Sequence, residues 1–321
     1  RGVARFLRRG QLVCLESTTY PGTTNDVLPP LLEKSGLKLD EEFYIAHSPE
    51  RVDPGNLKFK TKNTAKVVGG VGPNSHEVSL AFYSQSVEVI PVSSAKTAEM
   101  VKVFENTFRA VNIALVNELT MLCDGMKLNV WEVLDAAFTK PFGIMPFYPG
   151  PGVGGHCIPL DPHYLEWKAK EYSFDTHFIS LAGEINRKMP AFVREKAMRC
   201  LNSVGVAASR SRILVLGVAY KKDVGDYRES PSLKIIHLLK NDGAEVGFYD
   251  PYTHEVNEGD LHLIGEPELT PAALAKFDLT IIATNHSNID YDLVVEHSRL
   301  VLDTRNATKK IKAHREKITL L

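Results

Sequence analysis

The stretch SAKTAEMVKVFENTFRAVNIALVNELTMLCDGM, residues 94–126, contains no proline and no glycine before Gly125. Its apolar positions include Met100, Val103, Phe104, Phe108, Val111, Leu115 and Leu119, the three- and four-residue spacing of one helix face. It predicts one long helix, and it separates two regions of different rhythm. Before it, short apolar runs at 11–15, 43–46, 66–68 and 88–92 alternate with helical patterns at 23–34 and 76–83. That is the βαβ alternation of a parallel sheet. After it come helical patterns at 129–137, 161–172 and 177–204, the last expected to bend or break at Pro190. From Arg212 the alternation returns, with strands at 213–216, 245–249, 279–283 and 300–302. Ser230-Pro231 reads as a helix cap followed by a first-turn proline, and 272–276 as a short helix. The chain reads as α/β, then α, then α/β, divided at 1–93, 94–204 and 205–321.

Between the helical patterns lies Tyr148-Pro149-Gly150-Pro151-Gly152-Val153-Gly154-Gly155-His156-Cys157-Ile158-Pro159-Leu160-Asp161. Proline lacks a donor and glycine costs entropy in regular structure, so this run is an ordered loop that brings backbone close to something. It also presents a thiol, and a thiolate adds well to carbonyl carbon. The other cysteines, Cys14, Cys123 and Cys200, sit in apolar or helical patterns and read as small buried hydrophobes. With no CxxC spacing, neither a zinc site nor a disulfide framework is expected.

The 321 residues are 44% hydrophobic, enough for a sizeable core and about two domains. Lys+Arg 38 against Asp+Glu 39 gives a net charge of −1, which offers no case for nucleic-acid or membrane attraction. No apolar run has the ~18 residues of a membrane helix, and the basic start has no secretion signal. The protein is expected in the cytoplasm. The chain does not start with Met and is expected to begin inside a larger protein.

Other residues stand where chemistry is placed. Lys102 and Asn106 share one helix face, where a solvated polar stripe is the ordinary reading. Glu16-Ser17-Thr18-Thr19-Tyr20-Pro21-Gly22-Thr23-Thr24 and Ser48-Pro49-Glu50-Arg51 follow strands, at the sheet edge where ligands bind in open α/β folds. A helix cap and a surface carboxylate are the ordinary alternatives there. Gly217–Ser230 is a cation-rich loop running from a strand to a helix N-terminus, a position that favours anions. The glycines at 69, 70 and 72, before Pro73, end a strand but have the wrong spacing for a dinucleotide fingerprint and read as a turn.

Together, and in order, these segments resemble the UDP-sugar 6-dehydrogenase family over essentially the whole chain. The carriers are Ser17-Thr18 with Pro21-Gly22-Thr23, Ser48-Pro49-Glu50-Arg51, Glu99-Met100-Val101-Lys102 with Asn106, Gly154-Gly155-His156-Cys157 with Asp161, and the segment from Tyr220 to Ser230. His156 and Leu160 stand where the UDP-glucose branch usually has Ser and Lys, so the form resembles the branch acting on UDP-N-acetylhexosamines. The resemblance implies two Rossmann-like domains joined by a helical one, with NAD as cofactor and a UDP-sugar as substrate. It also implies a homodimer through the 94–126 helix, and a uronic acid product used for surface polysaccharide.

The implied reaction oxidises the C6 alcohol to an aldehyde, which Cys157 captures as a thiohemiacetal. A second oxidation gives a thioester, which water hydrolyses. Lys102 and Asn106 would stabilise the oxyanion, Asp161 would orient water and Lys102, and Glu50 would serve as general acid–base. Thr18 would support the water or the nicotinamide end, beside Ser17, and Arg228 would reach NAD. Lys221 would hold the phosphates. Glu50, Arg51, Lys102, Asn106, Tyr148, Gly152, Gly154, Arg187 and Arg305 complete the implied substrate contacts. The residues after Glu50, Arg51-Val52-Asp53-Pro54-Gly55, depart from the UDP-glucose branch.

The family's opening strand, glycine loop and helix are missing from the sequence. The first domain is therefore expected to be truncated, and the chain alone to bind NAD poorly and be inactive. UDP-glucose as substrate, a hydroxyacid or 6-phosphogluconate-type dehydrogenase, and a non-catalytic UDP-sugar-binding module remain alternatives.

Overall fold

The computed structural model describes residues 2–52 and 58–321. Asp53, Pro54 and Gly55, part of the departure after Glu50, lie outside them. The elements in chain order begin β1 (Gln11–Leu15), α1 (Leu28–Leu32), β2 (Phe43–His47), β3 (Lys66–Gly70), α2 (Pro73–Tyr83) and β4 (Val89–Pro91). There follow α3 (Ala95–Met126), α4 (Val130–Ala137), α5 (Asp161–Ala169) and α6 (His177–Ser203). Then come β5 (Arg212–Leu216), α7 (Pro231–Asn241), β6 (Glu245–Tyr249), β7 (Glu255–Glu258), β8 (Leu261–Ile264), α8 (Pro271–Leu274), β9 (Leu279–Ile282), α9 (Tyr291–His297), β10 (Val301–Asp303) and β11 (Ile318–Leu320). The chain forms two compact units, residues 1–109 with 160–179, and 110–159 with 180–321. The cut between these units falls inside α3.

In the first unit the sheet order is β1-β2-β3-β4. β1 pairs with β2 in parallel and β3 with β4 in parallel, but β2 and β3 are antiparallel, so the sheet is mixed, not parallel throughout. A parallel neighbour needs a long crossover, usually helical. Among the described residues between β2 and β3 there is only a 3-10 turn at Thr61–Asn63. Gly69 and Gly70 end β3, in keeping with a glycine cluster read as ending a strand. A Cβ on Gly69 would come within 2.1 Å of the Ser94 carbonyl oxygen, and one on Gly70 within 2.2 Å of the His76 nitrogen. Pro73 then opens α2 as its first residue.

In the second unit the sheet order is β11-β10-β9-β5-β6, all parallel. Counted along the chain this is a doubly wound 2-1-3-4-5 order, whose direction reverses between β5 and β9. β5 is buried on both faces. Ile213 and Val215 pack with Met189, Val193, Ile235 and Leu239, while Leu214 and Leu216 pack with Leu274, Ile282 and Val294. Two-sided burial is why its sequence is a continuous apolar run with no alternation. The Ser230 hydroxyl accepts from the Ser232 N–H at 3.3 Å ahead of Pro231, as the sequence predicts. The β7–β8 hairpin, α9 and β11 were not foreseen.

α6 runs unbroken through Pro190, so of the expected bend or break the break does not occur. The Asn186 carbonyl loses its usual partner at residue 190, and Gly152 comes up against this turn. A Cβ there would lie 3.4 Å from Pro190 Cδ and 3.5 Å from that carbonyl oxygen. Among the described residues no helix is long and apolar enough to cross a membrane.

Candidate active site

In the first unit, two helices bring three of the predicted residues together. Asn106, 3% exposed, donates from Nδ2 to Asp161 Oδ2 at 2.6 Å. Asp161 is also 3% exposed and opens α5. Burial pushes its carboxyl above the usual range, against the Asn106 hydrogen bond and the positive field of Lys102. The Lys102–Asn106 stripe is therefore not a solvated face. One turn earlier, Glu99 is fully buried and accepts from Gly22 N at 2.5 Å, Thr24 N at 2.8 Å and Thr24 Oγ1 at 2.6 Å. Burial raises its pKa while these bonds oppose the rise. Glu99 thereby ties the segment after β1 to α3.

The polar groups at the carboxyl ends of β1 and β2 differ in exposure. Ser17 is exposed and Thr18 half-buried. His47 is fully buried, and burial lowers its pKa to about 4, so it is neutral. Its Nε2 and the buried Ser48 Oγ have no hydrogen-bond partner among the described residues. Glu50 is exposed and accepts from the Val52 N–H at 2.7 Å. Arg51, expected on the substrate, has its guanidinium on Glu105 at 2.7 and 3.0 Å and on the Ala65 carbonyl at 2.8 Å.

In the second unit, Cys157 is exposed at the end of a heavily supported loop. Tyr148 stacks on Trp131 at 5.9 Å and donates to Asp135 at 2.9 Å. The Gly150 N–H donates to Asn117 Oδ1 at 3.1 Å, Asn117 to Asn186 at 2.9 Å, and Asn186 to the Ala110 carbonyl at 3.1 Å. Arg305 lies over Gly150, where a Cβ would meet its Nη1 at 2.5 Å. Burial draws this guanidinium down to about 10, which leaves it charged at neutral pH. Gly154 and Gly155 pack on the loop after β5. A Cβ on Gly154 would come within 2.8 Å of both Tyr220 Cβ and the Glu229 carbonyl oxygen, and Gly155 has φ +88°.

His156 Nε2 lies 3.5 Å from Asp226 Oδ2. Arg228, expected to reach NAD, clamps Asp226 at 2.9 and 2.7 Å. That clamp, above all, holds the Asp226 carboxyl down to about 2. Lys221 is half-buried on the same loop. Arg187 opens instead onto a cavity of about 560 Å³ with Lys234, His237, Glu258 and Asp260.

Sequence reasoning missed Asn117, Asp226, Asp250 and His286. Asn117 carries a signal: it follows Asn106 by eleven residues, three helical turns on the same face.

Models of three domains match this chain in order: the NAD binding domain of the UDP-glucose/GDP-mannose dehydrogenase family at residues 1–87, the central domain at 96–188 and the UDP binding domain at 214–310. The UDP-N-acetyl-D-mannosamine dehydrogenase of Pyrococcus horikoshii is 37% identical over 316 residues, covering 97% of this chain and 72% of that protein. The chain belongs to the UDP-glucose/GDP-mannose dehydrogenase family.

The UDP-N-acetyl-D-glucosamine 6-dehydrogenase of Pseudomonas aeruginosa is 34% identical over 288 residues, covering 89% of this chain and 67% of that protein. The solved structure of the Pyrococcus horikoshii UDP-D-ManNAc dehydrogenase aligns with a TM-score of 0.85 at 35% identity, covering 97% of this chain and 72% of that one. The chain is thus an NAD-dependent enzyme of the UDP-sugar dehydrogenase family. The NAD-binding domain is present, matched over residues 1–87, and this match gives no support to the expected truncation. The expected inactivity, argued from truncation, loses its support with it.

Proposed function

We propose that this enzyme carries out the four-electron oxidation of the C6 alcohol of a UDP-N-acetylhexosamine to the uronic acid, with Cys157 as covalent nucleophile. The observation that carries the reading is the buried Asn106–Asp161 pair in the field of Lys102, only four residues along the chain from the exposed Cys157. The acetylated sugar is favoured by His156 and Leu160 and by relatives named for such substrates. The uronic acid would feed surface polysaccharide synthesis.

The polar groups at the ends of β1 and β2 fit a dinucleotide. Ser17 and Thr18 offer hydroxyls, and Ser48 Oγ is a buried group in want of a partner. Bound NAD supplies the hydride acceptor. The chain's own residues do the rest. Cys157 thiolate adds to the C6 aldehyde, forming a C–S bond and placing negative charge on the C6 oxygen. The Lys102 ammonium and Asn106 amide stabilise that charge. After the second oxidation, Asp161 orients the water that attacks the thioester carbon. Glu50 takes the proton from this water, and sulfur leaves as thiolate. Lys221 and Arg305, at the carboxyl edge of the second sheet, hold the diphosphate. We further assign a homodimer to α3, which leaves Met100, Phe104, Phe108, Leu115, Leu122 and Met126 exposed. Sedimentation as a monomer at micromolar concentration would rule the dimer out.

The test is NADH formation with UDP-N-acetylmannosamine, UDP-N-acetylglucosamine and UDP-glucose, for wild type and Cys157→Ser. Two NADH per acetylated sugar, with the full cycle lost in the variant, is expected. A variant that completes the cycle would exclude the thioester route.

A further inference from the structure

At the reversal point of the second sheet, the loops after β5 and β9 meet. Gly217, at φ +83°, is so close to Thr284 that a Cβ would lie 2.5 Å from the Thr284 Cβ, and Thr284 Oγ1 donates to the Ala219 carbonyl at 2.6 Å. His286 sits between these loops, fully buried. Its Nδ1 lies 3.0 Å from the Asp223 N–H, which only donates, so Nδ1 accepts and the ring proton is on Nε2. Nε2–H then donates to Asp250 Oδ2 at 3.0 Å. Asp250 in turn accepts from the N–H groups of Val218 at 2.8 Å, Ala219 at 3.1 Å and Tyr252 at 2.9 Å. The Asp223 carboxylate closes the circuit on the Ser287 N–H and hydroxyl, both at 2.7 Å. One imidazole thus ties both ends of the turn 218–223 to the neighbouring strand ends.

That turn carries Tyr220 and Lys221, and the loop continues to Asp226 and Glu229; Gly154, Gly155 and His156 rest against Tyr220, Asp226 and Glu229. We propose that His286 is a positioning residue. As the Nε2–H tautomer it fixes the loop that holds the UDP diphosphate and, through that loop, the glycine segment leading to Cys157. The inference rests on the UDP-sugar reading above and adds to it a residue that touches no substrate.

Two variants separate its two bonds. His286→Gln places an amide donor near the Nε2 position and loses the acceptor for Asp223. His286→Asn places an acceptor near the Nδ1 position and loses the donor to Asp250. Calorimetric Kd values for UDP and for NAD, and the rate of Cys157 alkylation by iodoacetamide, are the readouts. His286→Gln is expected to weaken UDP about tenfold and change the alkylation rate several-fold, with NAD affinity unchanged. His286→Asn is expected to restore UDP affinity to within about threefold of wild type. Wild-type affinity and alkylation rate in His286→Gln would overturn the inference, as would an equal loss of NAD and UDP in both variants, the mark of general unfolding. Wild type failing to bind UDP would instead overturn the underlying reading.

Discussion

Asp161 in the first unit and Asp250 in the second are the same residue type at nearly the same burial, 3% and 2% exposed. Their carboxyls move in opposite directions. Asp161 has one amide donor and one cation acting through space, and burial wins, raising its pKa. Asp250 meets the same burial cost, but His286 and the backbone N–H groups of Tyr252 and Ala219 outweigh it, lowering its pKa. Donor count, not depth, decides which buried carboxyl is raised and which is lowered. The first kind suits proton handling and the second suits bracing a loop.

The comparison can be broken at several points. Asp161→Asn should cost the most, about 10³-fold in kcat, or roughly 4 kcal/mol, while the protein melts no lower than wild type at pH 7. A lower melting temperature would make Asp161 a structural anion like Asp250. Asp250→Asn should show the reverse: a loss of about 3 kcal/mol in stability, because its amide is held among donors, with NAD affinity retained. Calorimetric melting would check it, and an unchanged melting temperature would remove the bracing role.

The pH dependence of melting sharpens the contrast at a smaller scale. A raised carboxyl contributes stability below its unfolded pKa, near 3.9, that disappears as pH rises through its folded pKa. Asp161→Asn should therefore flatten a loss of stability on that rise. A depressed carboxyl contributes stability above its unfolded pKa that disappears as pH falls through its folded value. Asp250→Asn should therefore differ most from wild type near neutrality and converge with it in acid. Slopes of one sign for both pairs would refute the distinction. The smallest effect belongs to the surface. Arg228→Ala should let the Asp226 carboxyl rise from about 2 toward the ordinary range, read by NMR titration, with the melting temperature hardly moved.

Much of this architecture was readable because its signals are local. The α3 pattern, the apolar runs of β1, β2, β5, β6 and β9, and the Ser230-Pro231 start of α7 each follow from residues that touch their sequence neighbours. Pro190 does not break α6, and Gly152 packs against its turn from outside. The antiparallel β2–β3 pair misled because strand composition is silent on direction. Lys102, Asn106, Asp161 and Cys157 stood out in the sequence through motif spacing. The ion pairs of Arg51 with Glu105 and of Arg228 with Asp226 are seen only in the fold.

The sequence by itself determined the α/β–α–α/β order, the glycine loop that presents Cys157, and the family, since each depends on residue types at short spacing. Only the tertiary structure decided the states of the side chains. Whether a carboxylate is raised or lowered depends on how many donors converge on it, and for Asp250 the histidine that counts is 36 residues away. Convergence of that kind leaves no periodic trace in a chain, because it is a property of where strands end and not of what precedes or follows a residue.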